Sequence, residues 1–346
     1  MLGEGQVANR RMSHARSYVC HRAPGPVAVD GRIDKAVWRG APWTEDFVDI
    51  LGERRPRPRF RTRAKMMWDD ACLYVAAELE EPHVWGTITT KSAVMFYDND
   101  FEVFIDPDGD NHEYYEFEMN ALNTIWELTL PKPYRAGGVA QLGTNLPGLK
   151  SAVFVDGTLN DPADTDRRWC GELAFPFADL ARYAGQRRGP PADGDVWRVG
   201  MSRVEWLVDI IHGKYVKVPG REEDNWLWTP QPAVDAHRPW TWGYVQFSAA
   251  APGAAAPYRD GAWHVKMLLM DIYDAQRQTN LPAESLADLG IHLQAGEVPG
   301  LAGDGRSERT SSGWHAWASA ACAGGAIETW HTRQDSKLWA GEGSGA

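Results

Sequence analysis

The chain is expected to be a mainly β protein: an antiparallel β-sandwich followed by a small α-containing C-terminal extension. Three observations predict that class. About ten short segments alternate apolar and polar residues, joined by turn-rich connections, which is the pattern of a sandwich and not of alternating β-α units. The clearest stretch, Asp98 to Asn120, carries two strict alternations about an Asp-Gly-Asp turn. Seventeen tryptophans among 346 residues, within 43% apolar content, supply a large core and leave flat aromatic plates for a binding surface.

The elements follow in order. Residues 1–17 are polar, Arg-rich and aperiodic, so disorder is expected there. Val27 and Val29 start a short strand and Asp30-Gly31 turns the chain. Ile33, Val37 and Trp38 then lie at near-helical spacing, with Asp34 as the expected N-cap. Residues 51–60, rich in Pro and Arg, read as a surface connection. Arg61 to Trp68 and Cys72 to Leu79 alternate on either side of Asp69-Asp70, a hairpin. Further strands are expected over 125–130, 152–155, 169–175, 196–206 and 242–247, with a helical turn over 176–180. The long Gly/Pro/Asn-rich segment 131–149 reads as a binding loop, and 215–221 as plain loop. The sandwich is bounded at 18–248. Residues 249–261 form an Ala/Pro linker, and 262–346 the extension. Val265, Leu268, Leu269 and Ile272 predict one helix there, and Pro282 to Leu289 a short second one.

The hairpin poses the chemical question. Phe101, Val103 and Ile105, then Tyr115, Phe117 and Met119, point to a core. Asp100, Glu102, Glu116 and Glu118 share the other face. A turn centred on Asp108 to Asp110 sets Glu102 across from Glu116 and Asp100 near Glu118. Like charges directly opposite are destabilising, so a cation, arginines or a polar ligand is expected at that patch.

Composition excludes several classes. A net charge of −11 argues against nucleic acid or an anionic membrane as partner. No apolar run approaches the ~20 residues of a membrane helix. No apolar signal region follows the N-terminus, which makes a cytoplasmic location the default expectation, or an extracellular or periplasmic one if the start is misassigned. The four cysteines are dispersed without CxxC spacing and read as free thiols. GxSxG, GxGxxG, P-loop and HExxH patterns are all missing.

Several separated segments together resemble the carbohydrate-binding module family 9-like group. They are VDGRIDKAVW, APWTEDFVDI, WDDACLYVAAELEEPHVW, the whole central hairpin through IWEL, SRVEW, EDNWLWTPQ and WGYVQF, in that order across roughly Tyr18 to Ser248. IYDAQ and DSKLW in the tail resemble the extension on some such proteins. The resemblance implies a jelly-roll-like sandwich that binds saccharides, often beside glycoside hydrolases and often with structural calcium. By position, Glu102 matches the acidic ligand contact, and Asn225 with Trp228 an Asn-x-x-Trp pair. Phe96 stands where the other aromatic plate is Trp, and Arg203 is the arginine candidate.

A sugar site needs flat apolar faces for the ring and planar polar groups for its hydroxyls. Phe96, Glu102, Arg203, Asn225 and Trp228 make up such a set. Asp106, Asp108 and Asp110 are spaced like the start of a calcium loop. The EF-hand form fails, because Asn111 occupies the Gly position and Phe117 the bidentate Glu position. A calcium site of another kind and a plain polar turn both stay open. Two rival functions also stay open: a glycoside hydrolase using paired hairpin carboxylates, and a structural or protein-interaction sandwich with a degenerate sugar site.

Overall fold

The computed structural model describes residue 9 and residues 12–183, 189–279, 283 and 285–341. Thirteen strands form one continuous sheet. Its path runs Gln141–Leu142, Ile125–Leu130, Tyr114–Asn120, Asp100–Asp106, Val196–Glu205, Gly243–Ser248, Ser17–Arg22, Thr62–Trp68, Cys72–Glu80, Arg168–Pro176 and Lys150–Asp156. Asp224–Leu227 and Val48–Asp49 branch from Val196–Glu205. The sheet curls until its halves face each other across one core. Phe117 and Tyr115 from one half meet Phe175 from the other at 5.6 and 6.1 Å between ring centroids. The pairings along the path are antiparallel except at Ser17–Arg22, which runs parallel to both Gly243–Ser248 and Thr62–Trp68. That strand carries the sheet from one layer into the other.

The alternations become faces as expected. Phe101, Val103, Ile105, Tyr115, Phe117 and Met119 are all in the core. The hairpin register differs from expectation: Glu102 lies across from Glu118, Phe104 from Glu116, and Asp100 from Asn120. The cause is a wider turn. Asp106 accepts hydrogen bonds from the Gly109 and Asn111 amides at 2.9 and 3.0 Å. Gly109, Asn111 and Glu113 all take positive φ, which moves the centre of the turn to Asp110. Elsewhere, Ala36–Trp38 forms a 3-10 turn capped at Lys35 without a side-chain bond, so Asp34 is not its N-cap. Residues expected as loop include Lys214–Lys217, which pairs with Val208–Ile211 in a small hairpin.

The tail builds on the sandwich. Helix Trp263–Gln276 and a four-stranded sheet (Arg306–Thr310, Gly313–Ala321, Ile327–Arg333, Leu338–Ala340) share a core with Trp240 and Tyr244. Of the second helix expected over 282–289, residues 285–289 form turns, while 282 and 284 lie outside the described residues. Within the segment expected to be disordered, Asn9 is buried and bonds to Asp271 and Asp274 of the tail helix at 3.1 and 3.0 Å. Residues 1–8, 10 and 11 of that segment lie outside the described residues.

Candidate functional site

Strand register places a distinctive set on the sheet face away from the main core. One row across the strands reads Trp126, Glu118, Glu102, Ser202, Leu227. The row beside it reads Asn120, Asp100, Val204, Asn225. Glu116 and Phe104 pair in the row on the other side. Asp100, Glu116 and Glu118 are buried, and Glu102 keeps 7% exposure. Burial of this many carboxylates demands partners, yet no backbone or basic donor reaches Asp100 Oδ2, Glu116 Oε2 or Glu118 Oε2, and Glu116 and Glu118 are left against each other. The nearby base does not help. His237 Nε2 lies 3.9 Å from Glu116 Oε1, but burial lowers its pKa to about 4, so it is neutral at pH 7.

The electrostatics follow. Burial pushes Glu102 up to about 7. Burial and then the Glu102 charge hold Asp100, Glu116 and Glu118 well above the usual carboxylate range. The patch can be satisfied by retained protons, by a cation, or by hydroxyl donors from a ligand. Aromatic side chains stand beside it. Trp126 is half-buried directly across from Glu118, with an unpartnered indole N–H. Tyr134, 44% exposed, is pushed up to about 12 by burial and then by Glu116 and Glu118. Neither was singled out from sequence. The signal for Trp126 was present, since IWELTL alternates beside the hairpin and brings that ring to the charged face.

The expected site residues divide. Glu102 and Asn225 share this face. Phe96 is half-buried in the 3-10 turn Met95–Tyr97 before the Glu102 strand, its ring 4.8 Å from Tyr97 and its carbonyl accepting from Trp206 Nε1 at 2.8 Å. Trp228 does not join them. It is 0% exposed in the main core, its amide bonded to the Met201 carbonyl at 2.9 Å. That register sets it, like Trp226, on the core side of the strand. Arg203 is also 0% exposed on the core side, paired with Phe101. Its guanidinium donates to Glu81 and Glu205 at 2.7 Å each and to the Glu80 carbonyl at 2.8 Å. A cup with Trp228 as one plate and Arg203 as a hydroxyl contact is therefore not formed. The outer face carries the hairpin carboxylates and Asn225, with Trp126 beside Glu118.

Among the described residues, two groups bring carboxylate oxygens within 4.8 Å of one another: Asp100, Glu102 and Glu118, and Asp106, Asp108 and Asp110. In the second, Asp106 already accepts two backbone amides, while Asp110 accepts from the His112 amide at 2.8 Å and lies 3.3 Å from Lys337 Nζ. The protein's own donors hold that turn. In the first, Asp100 and Glu118 each keep a buried oxygen without a partner, with Glu102 between Glu118 and Ser202, so that donor set fits a hard, oxygen-seeking cation better.

Residues 29–130 match the carbohydrate family 9 binding domain-like family. The chain is 34% identical over 162 residues to exoglucanase XynX of Acetivibrio thermocellus, covering 46% of this chain and 12% of that protein. It is 32% identical over 162 residues to endo-1,4-beta-xylanase A of Thermoanaerobacterium saccharolyticum, with the same 46% and 12% coverage. It thus spans about an eighth of the length of these relatives. Among solved structures, a putative carbohydrate-binding protein from Bacteroides uniformis aligns at TM-score 0.50 and 14% identity, over 68% of this chain and 100% of that one. A family 9 module from Caldicellulosiruptor kristjanssonii in complex with cellotriose aligns at TM-score 0.41 and 15% identity, over 70% and 99%.

Proposed function

We propose that the chain, whose residues 29–130 match the carbohydrate family 9 binding domain-like family, binds a saccharide without cleaving it, in the context of polysaccharide breakdown. The observation that carries this is the outer hairpin face, where unpartnered carboxylate oxygens lie beside the half-buried Trp126 ring. Sugar hydroxyls donate to such oxygens, and the C–H face of the ring packs on an indole. The names of the two relatives make glucan and β-1,4-linked xylan the first ligands to try. Calorimetry with cello- and xylo-oligosaccharides is expected to give binding that Glu102→Gln weakens by about 10-fold or more, the scale of one lost charge-assisted hydrogen bond. Unchanged binding in that variant would remove Glu102 from the site.

We also propose calcium as the cation most suited to Asp100, Glu102 and Glu118. A bound divalent ion supplies the positive charge that the cluster lacks. The same carboxylate proximity supports a second function, glycoside hydrolysis by a close acid/base pair, for which retaining enzymes hold two carboxyls about 5–5.5 Å apart. Release of reducing sugar from glucan or xylan, abolished by Glu102→Gln, would establish hydrolysis in place of simple binding; no release is expected.

A further inference from the structure

The four-stranded sheet of the tail has two unlike faces. Trp314, Ala316, Ala318 and Ala320 alternate inward onto helix Trp263–Gln276. His315, Trp317 and Ser319 alternate outward. Strand register sets Trp317, His331 and Trp339 in one row, with Glu308, His315 and Arg333 in the next. Together they line a cleft of about 720 Å³, within the range of small-molecule sites.

The rings are held in place by the protein itself. His315 Nε2 and His331 Nδ1 lie 2.9 Å apart with their rings at 12°, so the two imidazoles bond edge to edge and share almost one plane. The direction of that bond is fixed. The Gly341 carbonyl can only accept, so His331 Nε2 donates to it, and His331 Nδ1 then accepts from His315 Nε2–H. Trp339 lies at 11–12° to both imidazoles, and Trp317 at 28° to His315. The Trp339 indole N–H has no partner. Charge on the cleft is balanced, with Glu308 at one end of the His315 row and Arg333 at the other. Flat plates and the surrounding hydroxyl and amide groups of Thr310, Ser312, Ser319, Thr329 and Gln334, without net charge of one sign, suit a neutral, ring-shaped, polyhydroxylated ligand.

We propose that this cleft is a second saccharide-binding site, built by the tail sheet and separate from the hairpin face. It shares only its ligand class with the proposed function and lies outside the residues matched to the family. The two sites on one chain would engage one polysaccharide together, and linked sites raise apparent affinity without new contacts.

The test is calorimetry of the full chain with cellohexaose and xylohexaose, together with retention on immobilised glucan and xylan. Four proteins are compared: the wild type, Trp317→Ala/Trp339→Ala, Glu308→Ala and Glu102→Gln. Thermal unfolding checks that each is folded. Glu308 is exposed, so its variant keeps the test decisive if the double variant does not fold. The wild type is expected to bind two equivalents. The double variant is expected to bind one, with retention reduced at least tenfold, and Glu308→Ala to weaken the tail equivalent severalfold. One wild-type equivalent lost only with Glu102→Gln overturns the tail site and leaves the hairpin site standing. One equivalent lost only with the tail variants overturns the hairpin site instead. No binding by any protein overturns both. A wild-type dimer that the double variant breaks, with no tail equivalent, assigns the cleft to a second copy of the chain and overturns the proposal.

Discussion

At Glu102 the fold raises a carboxylate pKa to about 7, chiefly by burial, against an unfolded value near 4.3. A raised folded pKa means that the native state binds the proton more tightly. Its contribution to stability is present below about pH 4 and is lost as pH rises through about 7. The metal-free protein is therefore expected to lose thermal stability between about pH 5 and 8. Calcium at about a hundred times its dissociation constant should restore about 2.7 kcal/mol at the upper end. Thermal midpoints with calcium and with chelator across that range check this, and a flat profile in both would contradict the unpaired cluster. Trp228 and Arg203 give the opposite lesson. Trp228→Ala should cost about 3–5 kcal/mol by opening a core cavity. Arg203→Ala should cost a similar amount by stranding Glu81 and Glu205 as buried charges. Both are read from denaturant midpoints, and a loss under 1 kcal/mol for either would contradict its buried role. Sequence gave these two residues the chemistry of a site, because an Arg or a Trp looks the same in composition whether it meets a ligand or a core. Arg203 was in phase with Val199 and Met201, and that phase proved decisive.

At the scale of elements, alternation was enough to orient the strands. The hairpin's two faces, the pairing of Thr62–Trp68 with Cys72–Glu80 and the tail helix were all legible. Register was not, because it depended on how Asp106 caps its own turn. The small hairpin 208–217 was also illegible, since Lys, Gly and His at its turn carry no apolar period. One close approach is specific to the Gly243–Ser248 strand. A Cβ on Gly243 would stand 2.2 Å from the Trp228 ring. Gly243→Ala should therefore destabilise by about 1–3 kcal/mol or more through overpacking, measured by urea unfolding. An unchanged midpoint would mean that the indole can move aside.

Over the whole molecule, the tail is fastened at several points and does not trail behind the sandwich. Tyr244 and Trp240 enter its core, Asp274 meets Arg135 and Arg238 at 3.1 Å each, and Leu338 donates to the Asp110 carbonyl at 3.0 Å. The last contact places the tail sheet against the turn of the central hairpin, so the hairpin anchors both the candidate binding face and the extension. Sequence shows a compositional break at 249–261, but long-range packing of this kind leaves no local signature. The central claim is that saccharide meets the outer hairpin face and not the core-side tryptophan. It is tested most directly by titrating oligosaccharide into two folded variants, Trp126→Ala and Trp228→Phe. Binding at the hairpin site should fall at least tenfold in the first and persist in the second; loss in Trp228→Phe with full affinity in Trp126→Ala would contradict it.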